Sequence, residues 1–399
     1  MFTIFLILIA IMVLISWRNY RMLSRWFPSY RARMVRYVYV FFTLVTAVVI
    51  AYGGQLRPPF VPKEDVLFHI LVYGALAWVF GQIILYPVQP LIYVAHRLIK
   101  GKQTPQIPQT PSSDPTMTRR EFCHGALSVV PLFTFGISGG GVYGAQNDMT
   151  VQRHHLVMPE LSPNLEGFKI GQVSDIHMGP YFDMERLDTV IRLLAREKPD
   201  LLAITGDFAD DLALLRPAID RFNELQPSIP HGIYFCMGNH DYFHNAELVR
   251  SELNKSRIAL LDNSSRLIMP GEHPFYLMGV DFPWQNLALR NLSISEHRRR
   301  KYLAEASRDV PPDAFRVLIG HYPDVLFDGF AERIPLTLAG HTHGGHIVIN
   351  EKSPLSIYRY TRGLYEENGV YGYVSSGAGH WFPFRVGCPP EISMFTLKV

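Results

Sequence analysis

The sequence predicts an α/β domain preceded by an all-α region of three to four membrane-spanning helices. Two observations carry this reading. Apolar residues crowd into the first third of the 399-residue chain, in blocks approaching the thickness of a bilayer. From about residue 151 the pattern changes to short β-rich runs, each closing on a polar cluster and often followed by a helical stretch.

Residues 2–17 are almost wholly apolar, and 37–52 and 66–85 repeat the pattern. Their lengths reach, or nearly reach, the roughly 20 apolar residues that a span needs. A fourth stretch, 125–143, is interrupted by Gly136 and by Gly139, Gly140 and Gly141, which closely packed neighbouring helices tolerate. The expected organisation is an anchor region of three spans over 1–100, a linker over 101–120, a fourth span over 121–145 and a C-terminal domain over 151–399.

Charge sets the topology rather than the partner class. A net charge of +3 is small for this length and gives no reason to expect a nucleic-acid partner. Arg18, Arg21, Arg25, Arg31, Arg33 and Arg36 fill the first connection, which the cytoplasmic preference of basic residues places inside. Alternation then puts 53–65 outside, and 96–120, with Arg97, Lys100, Lys102, Arg119 and Arg120, inside. A span at 125–143 delivers the C-terminal domain to the non-cytoplasmic side of the cell (inner) membrane. His69 is the one ionisable candidate inside a span and lies near its outer end, so the spans read as an anchor and not as a transport path.

Within the inner connection, 103–115 is rich in Pro, Gln, Ser and Thr and reads as a flexible linker. Directly after it, Thr118-Arg119-Arg120-Glu121-Phe122 and the following apolar run resemble a twin-arginine export signal, internal instead of N-terminal. Two arginines flanking a span would look the same. Cys123, Cys236 and Cys388 allow at most one bridge and match no metal-binding spacing, which excludes a disulfide scaffold.

In the C-terminal domain the runs 168–173, 201–205, 232–237, 275–280, 316–319 and 336–339 read as strands, with a helix at 184–197 between the first two. Functional groups in such sheets gather beyond the carboxyl ends of strands. There the chain carries Ser174-Asp175-Ile176-His177, Gly206-Asp207-Phe208-Ala209-Asp210, Gly238-Asn239-His240-Asp241, Gly320-His321 and Gly340-His341-Thr342-His343-Gly344-Gly345-His346. Singly, each Asp or Asn could cap a helix and each His could be structural. Together, five strand ends deliver oxygen and imidazole donors and no thiolate, a set that suits manganese, iron or zinc better than calcium or magnesium.

These ordered blocks resemble those of the calcineurin-like metallophosphoesterase family, over about residues 165–399. The resemblance implies a four-layer α/β/β/α sandwich holding two divalent transition-metal ions. It implies that Asp175, His177, Asp207 and His343 bind one metal and that Asp207, Asn239, His321 and His341 bind the other. A hydroxide activated by both metals would then attack a phosphate ester, with His240 as the acid and Asp210 as the carboxylate that orients it. The segment 373–380, with Pro383, Arg385, Pro389, Pro390 and Glu391, is similar to the closing segment of a bacterial membrane-associated subgroup. Arg385 could grip a substrate phosphate or form a structural pair. His346 stands where that subgroup often has Gln, which would change a substrate contact.

The expected activity is hydrolysis of a phosphomonoester, phosphodiester or pyrophosphate in a phosphorylated small molecule, membrane lipid or envelope component. Two alternatives stay open: a UDP-2,3-diacylglucosamine pyrophosphohydrolase-like enzyme of lipid A synthesis, and an inactive membrane sensor or scaffold.

Overall fold

The computed structural model describes residues 2–53, 66–100, 118–158, 161–271, 274–283, 292–354 and 356–399. The linker at 103–115 and the connection at 54–65 lie outside the described residues, as do the side chains of His69 and Arg120. The chain divides into two compact units, Met1–Tyr143 and Gly144–Val399.

Four helices, α1 (Phe2–Trp26), α2 (Arg33–Gly53), α3 (Val66–Lys100) and α4 (Arg119–Asn147), are long and apolar enough to cross a membrane. All four run further than the apolar blocks at 2–17, 37–52, 66–85 and 125–143. Helix α1 continues through Arg18, Arg21 and Arg25 because arginine is a good helix former, and Arg18 lies 4.4 Å over the Tyr86 ring. Helix α3 passes through Pro87 and Pro90 to Lys100, a break that packed neighbours accommodate. Inside this unit the buried Asn19 donates to Gln82 Oε1 at 2.7 Å and accepts from Gln89 at 2.5 Å. Such amide bonds join membrane helices, whose apolar surfaces alone have no preference for each other over lipid. The Thr118-Arg119-Arg120-Glu121 sequence forms a capping box: Glu121 N–H donates to Thr118 Oγ1 at 3.2 Å, and Glu121 Oε2 accepts from Thr118 N–H at 2.9 Å. This start signal for α4 comes from the same residues that resemble an export motif.

The second unit follows in chain order as β1 (Thr150–Val157), β2 (Lys169–Val173), α5 (Met184–Glu197), β3 (Leu201–Thr205), α6 (Leu212–Leu225), β4 (Ile233–Cys236), α7 (Asn239–His244), α8 (Ala246–Asn254), β5 (Ile258–Leu260) and β6 (Ser264–Ile268). It continues with β7 (Phe275–Gly279), α9 (Leu292–Ala306), β8 (Arg316–Ile319), α10 (Val325–Ala331), β9 (Leu336–Ala339), β10 (Gly363–Glu367), β11 (Val370–Val374) and β12 (Glu391–Lys398). One sheet has the order β1-β12-β2-β3-β4-β5 and the other β10-β11-β9-β8-β7-β6. Strands β2 to β5 are parallel to one another, as are β7, β8, β9 and β11.

The continuous apolar runs of these strands follow from burial on both faces. In β3, Leu201 and Ala203 face the core between the sheets, while Leu202 and Ile204 face α5, α6 and α8. In β8, Val317 and Ile319 enter the same central core and Leu318 packs toward α9 and α10. The result is the expected four-layer α/β/β/α sandwich. Gln172 ties the two sheets together, donating to Thr205 Oγ1 in one at 2.9 Å and to the Ala339 carbonyl in the other at 2.8 Å. Parallel strands point their carboxyl ends the same way, so the loops after β2, β3, β4, β8 and β9 converge.

Candidate metal centre

Each strand delivers its donors in the first residues beyond its end, and after β2, β3 and β9 the backbone there is held in an unusual conformation. Asp175, His177, Asp207, His341 and His343 all have positive φ, between 50° and 76°. Non-glycine residues rarely adopt this region, and such strain gathers at functional sites where the surrounding structure enforces it. Gly238 and Gly340 make room for the turn: a Cβ at Gly238 would strike the Asp207 carboxylate, and one at Gly340 would strike Ser174 and Asp175.

All the residues expected to bind metal come together. Asp175, His177 and His343 offer donor atoms within 4.8 Å of one another, and so do Asp207, His321 and His341. In the first group, His177 Nε2 lies 3.1 Å from His343 Nε2, and Asp175 Oδ1 lies 3.6 Å from His343 Nε2. In the second, His321 Nε2 is 3.1 Å from His341 Nδ1 and 3.0 Å from Asn239 Oδ1, which is itself 2.7 Å from His341 Nδ1. Asp207 Oδ2 stands between the groups, 3.6 Å from His177 Nε2 and 3.2 Å from His321 Nε2.

The outward-facing atoms fix ring orientation. His321 Nδ1 donates to the Thr205 carbonyl at 2.7 Å, and His177 Nδ1 donates to Asp210 Oδ1 at 3.0 Å, which turns both Nε2 atoms toward the cluster. His341 Nε2 meets the Tyr358 hydroxyl at 2.9 Å. This donor set fits divalent cations: two nitrogens on one ion at ~2.1 Å each lie ~3.0–3.4 Å apart for bond angles of ~90–109°. His343 is the exception. Arg385 Nη2 lies 2.9 Å from His343 Nδ1, and a guanidinium can only donate, so ligation through Nε2 requires that contact to open.

Arg385 is therefore no phosphate clamp in this structure. It is buried, and it donates to the carbonyls of Ser376 and Gly379 as well as to His343. His346 packs between His343 and Phe382, at ring distances of 5.4 and 4.5 Å, and its pKa is pushed down to about 4 by burial and by Arg385.

His240 stands at the edge of the cluster, its Nδ1 2.8 Å from Asp210 Oδ1 and its backbone N–H donating to Asp207 Oδ1 at 2.8 Å. Asp210 does more than orient His240. The same oxygen also meets His177 Nδ1, and His244 Nε2 lies 3.4 Å away. Burial disfavours the Asp210 charge, but the histidines around it, His177 first, hold its carboxyl well below the usual range. Asp241 has no role that the sequence pattern assigns. Its buried carboxylate accepts from the backbone N–H of Asp207 and Phe208 at 3.0 Å and of Gly238 at 2.8 Å, locking the two ligand loops together. The sequence does hold a signal for it, an acidic residue three positions after Gly238 at a helix start. Tyr358 and His244 carry no such signal.

Protonation follows from the same contacts. Burial lowers the His321 pKa, but the Asp207 and Asp175 carboxylates outweigh it and raise the value to about 9. His341 is pushed down to about 3 by burial and by its neighbour His321. In the absence of metal this favours the protonated form of His321 at neutral pH, and a cation held by His321 would have to displace that proton. Calorimetric titration of metal into the metal-free protein at pH 7, in buffers of different ionisation enthalpy, is expected to show release of about one proton. Apparent affinity should rise with pH until about pH 9, where the proton is already gone. Affinity independent of pH between 6 and 8 would mean that His321 is not displaced.

Comparison with known proteins agrees with the geometry. The calcineurin-like phosphoesterase profile matches residues 168–345. The uncharacterized metallophosphoesterase YkuE of Bacillus subtilis strain 168 is 29% identical over 300 residues, which span 71% of this chain and 98% of YkuE. The transmembrane protein with metallophosphoesterase domain of Bos taurus is 28% identical over 295 residues, 70% of this chain and 64% of that protein. Phosphodiesterase YaeI of Escherichia coli K12 is 27% identical over 259 residues, 61% of this chain and 87% of YaeI. On the matched motifs and the buried imidazole and carboxylate cluster they build, residues 168–345 form a calcineurin-like phosphoesterase domain, and the chain is a hydrolase of phosphate esters.

Proposed function

We propose that this protein is a membrane-anchored, two-metal phosphoesterase that acts on a lipid or cell-envelope phosphate ester at the non-cytoplasmic face of the inner membrane. The observation that carries the proposal is the presence, in one chain, of four helices long enough to span a membrane and a site where Asp175, His177 and His343 lie beside Asp207, His321 and His341, two of the three groups of side chains there that are close enough to hold an ion. Asp175, His177, Asp207 and His343 would hold one cation, and Asp207, Asn239, His321 and His341 would hold the other. A bound pair of divalent cations polarises the phosphoryl oxygens and activates water at neutral pH. The chain supplies the rest. Asp207, anchored by the His240 N–H, places its charge between the two donor groups, where it would lower the repulsion between the cations they hold. His240, with Nδ1 held by Asp210, presents Nε2 as the proton donor to the leaving oxygen.

The test uses the full-length protein in detergent, stripped with a chelator and reloaded with manganese. About two equivalents of metal should return, with hydrolysis of p-nitrophenyl phosphate or its diester and of a phospholipid or lipid phosphate in mixed micelles. Less than one equivalent and no turnover on any of these would end the two-metal reading. Turnover of the aryl esters alone would end the lipid reading.

Topology is tested separately. A fluorescent-protein fusion after Val399 should be dark and an alkaline-phosphatase fusion active, as the arginines of the first connection require. A bright fusion would place the site on the cytoplasmic side, where a UDP-diacylglucosamine substrate is available.

A further inference from the structure

The metal centre is bordered by large apolar side chains that the domain leaves exposed. Phe243 is 52% exposed, with its ring 5.3 Å from that of His240. Trp381 is 48% exposed, 6.4 Å from the same imidazole. Elsewhere at the cluster, Tyr358 meets His341, and its chain neighbour Ile357 is 90% exposed. A folded domain gains nothing by presenting isoleucine, tryptophan and phenylalanine to water around a polar site; exposed apolar groups that cluster mark a contact surface.

The chemistry around them selects the occupant. The loop from 346 to 362 carries three basic residues, Lys352, Arg359 and Arg362, against one acidic residue, Glu351. The Arg359 side chain is 68% exposed. Apolar tips among cations are the composition of a surface that enters the bilayer interface, where aromatic rings settle at headgroup depth and basic residues meet lipid phosphates. The same chain carries the helices that would keep such a surface close to a bilayer. We infer that the face around the metal centre, with Phe243, Trp381 and Ile357 at its rim, docks onto a lipid bilayer. This inference rests on the proposed membrane-substrate function and adds to it the surface by which the site reaches the lipid. Because His240 faces the leaving oxygen in that function, Phe243 and Trp381 then lie on the leaving-group side, where a lipid alcohol would depart.

The experiment measures docking without reference to turnover. In the full chain carrying Cys123→Ser, which removes the exposed native thiol, a nitroxide is attached at Ile357→Cys, at Phe243→Cys or at Asn368→Cys. Asn368 lies in the β10–β11 turn, at the opposite end of its sheet from the metal centre. After reconstitution into phosphatidylcholine/phosphatidylglycerol vesicles, labels at 357 and 243 should be accessible to oxygen and shielded from a nickel chelate. The label at 368 should show the reverse. Nickel accessibility at 357 and 243 equal to that at 368 would overturn the inference. Shielding from both reagents would overturn it too, in favour of a protein partner or a second copy. In a second arm, Phe243→Ser with Trp381→Ser should lower the ratio of vesicle-borne to water-soluble ester turnover by about tenfold or more. A ratio within twofold of the parent overturns docking as the route to substrate. Labels in the bilayer together with hydrolysis of soluble esters only would leave docking standing and remove the lipid-substrate reading instead.

Discussion

Asp207→Asn is expected to lose both bound metal and activity. Asp207 Oδ2 lies within 3.6 Å of an inward-facing nitrogen from each donor group. Its removal takes away the negative charge that, in the proposed two-metal site, would let two cations sit side by side. Asn keeps an oxygen for the His240 N–H, so the fold should persist, and circular dichroism should show an unchanged secondary structure. The loss in metal affinity should exceed the roughly 10–100-fold typical of removing an outer partner of a ligand. Metal analysis after desalting should find less than one equivalent. A variant that keeps two ions and most of its turnover would show that Asp207 does not bridge.

His240→Asn is expected to fail in a different way, keeping its metals and losing roughly 10²–10⁴-fold in rate, the usual worth of general acid catalysis. The imidazole is not among the donors proposed for the two cations; with His177 and Asp210 it forms a third group close enough to hold an ion, and its Nδ1 is tied to Asp210. Burial works against its charge, but the hydrogen bond from Nδ1 to Asp210 and the nearby Asp207 raise its pKa overall, which favours the proton-carrying form. Leaving groups separate this role from others. An alkyl alkoxide needs protonation more than an aryl oxide, so the defect should grow as leaving-group pKa rises. Equal defects on aryl and alkyl esters, or loss of a metal ion, would make His240 a clamp or a ligand instead.

The residues that carry these predictions are legible in the sequence because two local signals coincide in them. Strands such as β3 and β8 are buried on both faces and read as unbroken apolar runs. Their ends are marked by abrupt runs of Gly, Asp, Asn and His. Other strands have weaker patterns. β6 and β10 expose half or more of their residues at least in part, and β5 has only three residues. β12 is well buried, yet its place between β1 and β2 is encoded by partners more than two hundred positions away.

The sequence by itself determined the membrane-helix blocks, the α/β class, the strand-end donors and their order along the chain. Tertiary structure alone decided that Arg385 is buried against His343, that one oxygen of Asp210 serves both His177 and His240, that Asp241 locks two ligand loops, and that apolar rings border the site. The division has a physical reason. Periodicity and turn chemistry record which face a residue buries and where a strand stops, and both are local. A hydrogen-bond partner or a neighbouring ring is chosen by how separate strands pack, and the His177–His343 contact joins residues 166 positions apart that only the packed sheets bring within reach.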